Sequence, residues 1–164
     1  MILSHTILLI AGAICLLVAL VLVFWPRWVA SVPAFVGMLL MHLSYTIDVP
    51  KIILAFWGIA TLITAGLYYL SPRGEPDGHK SSNLFIGLTS LAGGMLGILL
   101  ESRILLLGVV LGAAIGQLAY SRTPSGKWLM QSHNVFLRYF AAKCLPTIVA
   151  ISIVCISIMG IVIE

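Results

Sequence analysis

Gly108, Gly112 and Gly116 stand four residues apart inside the uninterrupted apolar run Ile104–Ala119. Positions four apart lie above one another on one face of a helix. A face without side chains has no use in a water-soluble helix, where an apolar stripe must fill a core. Inside hydrocarbon it lets two backbones approach closely, which is how small-residue faces associate in a bilayer. The preceding run Leu84–Leu100 carries its own strip, Gly93 and Gly97, with Gly87 and Gly94 nearby. Only Glu101-Ser102-Arg103 joins the two runs. A connection that short predicts an antiparallel hairpin, in which the two glycine strips can face one another if the helices rotate them inward; spacing leaves open whether they pack within one chain or between chains.

Composition supports the same solvent. Of 164 residues, 61% are hydrophobic and 9% charged, against about 25% charged in an ordinary soluble domain. Mean hydropathy is +1.15. The expected fold is therefore all-α, a single polytopic membrane domain over 1–164. Its spans are predicted at 6–25, 32–47, 52–70, 84–100, 104–119 and 145–163, with a polar loop at 71–82. The first span ends at Trp25-Pro26-Arg27-Trp28, where indoles and an arginine suit the headgroup level. The second is short and holds Pro33, Gly37 and His42; it either crosses a thin region or is re-entrant. Lys127, Gln131, Asn134 and Arg138 form one polar stripe. The segment 127–143 therefore reads as an amphipathic helix at the membrane surface.

Seven of the nine Lys and Arg residues fall on the side holding the first, third and fifth loops; Lys51 and Arg103 fall on the other. Positive charge accumulates in the cytoplasm. This predicts a multi-pass protein of the bacterial inner membrane with both termini outside. The basic residues are scattered along the chain, with four spread between Arg122 and Lys143 and one or two in each other loop, so the net charge of +4 forms no patch for nucleic acid. Expected partners are the lipid bilayer and a second copy or another membrane protein.

The whole chain resembles a family of small bacterial glycine-zipper membrane proteins of unknown function, DUF456. The resemblance rests on a long first span, a turn marked by Pro26 and Pro33 into a short Gly-containing segment, and a third span and polar loop. The run Gly87, Gly93-Gly94, Gly97, Gly108, Gly112-Ala-Ala-Ile-Gly116-Gln117, a basic segment and a final span complete it. Two features depart from the family pattern. Gln117 stands where the family has Glu after the last glycine, and Glu101-Ser102-Arg103 replaces a turn rich in Gly and Pro. The resemblance implies a membrane fold and no activity.

Candidate chemistry is sparse. Glu101 and Arg103 sit in the hairpin turn, where a solvated pair or a gate are the two readings. Gln117 is either an amide bonded across helices or a polar residue lining a path. His42 and Asp48, six apart, both approach one aqueous mouth, either as a proton-handling pair or as groups satisfied by water. Cys15, Cys144 and Cys155 lie in apolar runs with no CxxC or Cys/His cluster, so no disulfide framework, metal site or cofactor is expected. No nucleophile motif, phosphate loop or dinucleotide fingerprint appears. The leading expectation is a non-enzymatic protein acting through Gly87, Gly93, Gly97, Gly108, Gly112 and Gly116 as an oligomer or accessory subunit. The alternative is a small transporter or channel, with a polar path through Gln117, His42, Glu101, Arg103 and Asp48.

Overall fold

The computed structural model describes residues 2–24, 29–70, 80–100, 104–124, 127 and 140–163. Their regular structure is helical throughout. The helices are α1 (Ile2–Phe24), α2 (Ser31–Leu43), α3 (Lys51–Leu70), α4 (Lys80–Leu100), α5 (Leu105–Ser121) and α6 (Leu145–Ile163). A π-helical turn, Phe140–Cys144, runs directly into α6.

Three helical stretches have the length and hydropathy of a membrane span: Leu3–Phe24, Lys51–Leu70 and Phe140–Val162. Three apolar stretches, Ser31–Leu43, Leu84–Leu100 and Leu105–Ser121, are shorter. The outward faces of the helices are apolar: Ile7, Ile14 and Val21 on α1, Phe56 and Leu62 on α3, Leu96 on α4, Leu107 and Leu118 on α5 all stand exposed. A monomer in water does not tolerate apolar surface on this scale.

Two antiparallel hairpins, α1/α2 and α4/α5, flank α6, which touches all five other helices. The residues of α6 explain its place. It is apolar on every side, as a helix enclosed by neighbours must be, and half of its span is buried against 22% for α1 and 17% for α3. Ala150, Ile151, Ile153 and Val154 join Leu16, Ala19, Ala34 and Met38 in the main core. A smaller cluster of Ile86, Ala113, Tyr120 and Cys144 joins α4, α5 and the π turn.

The structure moves some element ends. The helix in 32–47 stops at Leu43, only 13 residues long, which is about 20 Å. Ser44 donates a side-chain hydrogen bond to the Met41 carbonyl at 2.8 Å. The amides of Tyr45 and Thr46 then reach back to the carbonyls of His42 and Met41. That is a Schellman ending, and its left-handed position is Tyr45, at φ 55. The chain beyond does not leave the bundle at once, since Ile47 and Val49 are buried. The polar loop expected at 71–82 gives its last three residues to α4. Of the amphipathic segment 127–143, residues 128–139 lie outside the described residues, and the part from Phe140 belongs to the π turn.

Proline cannot adopt the backbone of Tyr45, whereas asparagine enters the left-handed region at little cost. Tyr45→Pro should therefore lower the thermal midpoint of the purified protein, and Tyr45→Asn should leave it within a few degrees. Equal midpoints for both variants would remove the turn's role.

Candidate functional site

The α4/α5 contact is built from glycines because backbone meets backbone there. A Cβ placed on Gly93 would run into the carbonyl of Gly108 and lie 3.2 Å from the Gly112 Cα. One on Gly108 would meet the Gly93 carbonyl, and one on Gly112 the Thr89 carbonyl, with the Ser90 Cα at 3.0 Å. A Cβ on Gly97 would lie 2.7 Å from the Leu105 Cα, and one on Gly116 2.8 Å from the Phe85 carbonyl. The pairs run in opposite order along the two helices, so the hairpin is antiparallel and five of the six glycines lie in its seam. A backbone approach that leaves no room for a methyl suits Cα–H···O attraction and dense van der Waals packing, the forces that associate helices in lipid. Both strips close on each other within one chain.

Gly87 lies elsewhere. A Cβ there would lie 2.9 Å from Val23 and 3.5 Å from Phe24, both on α1. Gly94 also turns aside, and a Cβ on it would lie 2.7 Å from Cys155 of α6 and 2.9 Å from Val109. A further close approach joins α1 and α2, where a Cβ on Gly12 would sit 3.1 Å from the Gly37 carbonyl and one on Gly37 2.9 Å from the Gly12 carbonyl. This second glycine contact is made of lone glycines, with no repeat to announce it.

The polar candidates are dispersed. Gln117, half-buried near the end of α5, accepts a long contact from the Cys144 thiol at 4.0 Å. His42, half-buried, donates through Nδ1 to the Ile47 carbonyl at 3.3 Å. Asp48 is exposed, and Glu101 and Arg103 lie outside the described residues. Gln117 sits against the start of α6, whereas Ile47, the partner of His42, packs 2.8 Å from the open side of Gly160 near its end. Sixteen helical residues separate those levels, roughly 24 Å at 1.5 Å per residue. The structure does not bring Gln117 and His42 together. Near the His42 end, the His5 and Tyr45 rings pack with centroids 5.7 Å apart.

A different polar cluster lies at the end where α2 begins and α3 ends. The buried face of α3 consists of Trp57, Thr61 and Thr64, on an otherwise apolar helix. Thr64 donates to the Thr61 carbonyl at 3.0 Å. Its own proton is thereby committed, so Ser31 of α2 donates to Thr64 across the interface at 2.9 Å. The Thr61 hydroxyl is buried and has no hydrogen-bond partner. Its signal in the sequence is the Trp57-Thr61-Thr64 stripe at helical spacing. Among the described residues no group of three His, Cys, Asp or Glu side chains could hold a metal ion.

An added methyl at Gly112 meets main chain that cannot step aside. Gly112→Ala should destabilise the protein by about 1–3 kcal/mol, the usual range for an overfilled core, and Gly112→Leu should prevent the hairpin from closing. Nothing lies within 4 Å of a Cβ on Gly66, so Gly66→Ala should stay within about 1 kcal/mol of the parent. Thermal melts of the three variants in one detergent check the contrast, and a Gly112→Ala midpoint at or above that of Gly66→Ala would contradict it.

Compared with known proteins, the chain matches no family model, no curated protein and no solved structure.

Proposed function

We propose that the chain is a non-enzymatic polytopic protein of the bacterial inner membrane that works as an oligomer or as the accessory subunit of a membrane assembly. The observation that carries this reading is the glycine seam of α4 and α5. Its close backbone approach belongs to helices packed in lipid, and it holds a rigid hairpin without providing a place for chemistry. In this reading all six helices cross or nearly cross the bilayer. The short α2 is followed by residues 44–50, of which Ser44, Ile47 and Val49 are buried and Tyr45, Asp48 and Pro50 exposed, as suits a chain leaving the apolar layer at that end. The resemblance to DUF456 bears on the membrane fold alone. Because the glycine strips are occupied within the chain, contact with a second copy or a partner falls to the exposed apolar faces of α1 and α3.

A transporter or channel for an ion, proton or small solute is the second reading. It is favoured by the buried hydroxyls Ser31, Thr61 and Thr64, which place hydrogen-bonding groups inside an apolar bundle.

The two readings separate on reconstitution. In lipid nanodiscs, light scattering should give a mass of two or more chains, or a stable complex with one membrane partner from the same cell. A lone monomer that also drives flux in proteoliposomes would replace the first reading by the second. Reporter fusions give the orientation: a periplasmic reporter on the C-terminus should be active and a cytoplasmic one silent.

A further inference from the structure

Two buried hydroxyls among the described residues, Thr61 and Ser90, have no hydrogen-bond partner, and that of Thr61 lies beside other hydroxyls. Buried hydroxyls on apolar helices normally bond back to a carbonyl of their own helix, as Thr147, Ser152 and Ser157 do on α6, at 2.7, 2.8 and 2.9 Å. Thr61 does not, although it is only 6% exposed. Counting protons in its cluster locates the deficit. Thr64 gives its proton to the Thr61 carbonyl, and Ser31 gives its proton to Thr64. The proton of Thr61 is left without an acceptor, and Ser31 keeps lone pairs to offer.

We propose that Thr61 and Ser31 hold an internal water molecule at the seam of α2 and α3. The water accepts from Thr61 and donates to the Ser31 hydroxyl oxygen, two bonds, within the two to four usual for a buried water. It adds a water-borne link between α3 and α2 beside the direct Ser31–Thr64 hydrogen bond. The site stands on this cluster alone, whichever function the protein serves.

The sign of one substitution tests it. Thr61→Val keeps the shape and deletes the hydroxyl. If the hydroxyl is dry and unpaired, its removal raises the thermal midpoint, because an unsatisfied buried group is lost. If it holds the bridging water, the midpoint falls by several degrees, and Thr61→Ser keeps most of the parent value. A fall for Val with retention for Ser is the expected result; an unchanged or raised midpoint for Val overturns the proposal.

Magnetisation transfer from water decides the matter if Thr61→Val fails to fold. In nanodiscs with 13C-labelled Thr and Ala methyl groups, the Thr61 methyl should show cross-relaxation with water protons and the fully buried Ala150 methyl none. A Thr61 methyl without that transfer overturns the proposal.

Discussion

The rest of the fold depends on the main-chain contact between α4 and α5. Within hydrocarbon, burying a leucine against a neighbouring helix gains little, since acyl tails are equally apolar. What holds such a pair is the number of atoms brought to van der Waals distance and the weak Cα–H···O contacts between backbones. Both rise as the helix axes approach. Gly93, Gly97, Gly108, Gly112 and Gly116 make the approach possible, because each lies where a side chain would strike the partner's backbone. The hairpin then presents Gly94 and Val109 as one surface, and Cys155 of α6 fills the space over Gly94.

That docking explains how the interior handles polarity. α6 is enclosed, so its three hydroxyls are returned to their own helix and cost the bundle no unsatisfied group. α3 is held differently. Its buried stripe is Trp57, Thr61 and Thr64, and its link to α2 includes the Ser31–Thr64 hydrogen bond as well as Phe35 against Gly58 at 3.1 Å. Fewer buried apolar contacts and more polar ones make a less stable attachment. The bundle thus has a close-packed part, α1, α2, α4, α5 and α6, and a helix on its flank secured partly by hydrogen bonds.

Much of this was legible in the sequence. Hydropathy and length placed the six helices within a few residues, because apolar runs are bounded by Pro, Gly and charge. The common face of Gly108, Gly112 and Gly116 followed from their spacing, while its inward turn toward α4 did not. Gly87 resembled its neighbours in the repeat but faces α1, since rotation about α4 is set by tertiary packing that spacing alone does not encode. The Gly12–Gly37 contact escaped notice because one glycine on each helix makes no pattern. Leu43 ends α2 without a glycine or proline, through the Ser44 hydroxyl and a left-handed Tyr45, a residue type that gives no warning of that conformation. His42 and Gln117 read as parts of one path only until chain direction set them at opposite ends of α6. The hydroxyl cluster was visible as a threonine stripe, but its partner Ser31 lies 33 positions away from Thr64, beyond any local signal.

The direction of the glycine seam has a consequence for assembly. A small-residue face that looks outward promotes association with another molecule, whereas the same face closed inside a hairpin is spent on the fold. In this chain the α4 and α5 strips are matched to each other, so a second molecule cannot engage them without opening the hairpin and losing every main-chain contact described above. An assembly built on this protein must therefore use surfaces that lack the glycine pattern. α3 offers one of these, because only the stripe of Trp57, Thr61 and Thr64 is buried against the bundle. Its hold on that bundle runs through Ser31, Thr64 and Thr61, so a partner bound to its outer face would act on the hydrogen-bonded seam behind it before it disturbed the clasped hairpins.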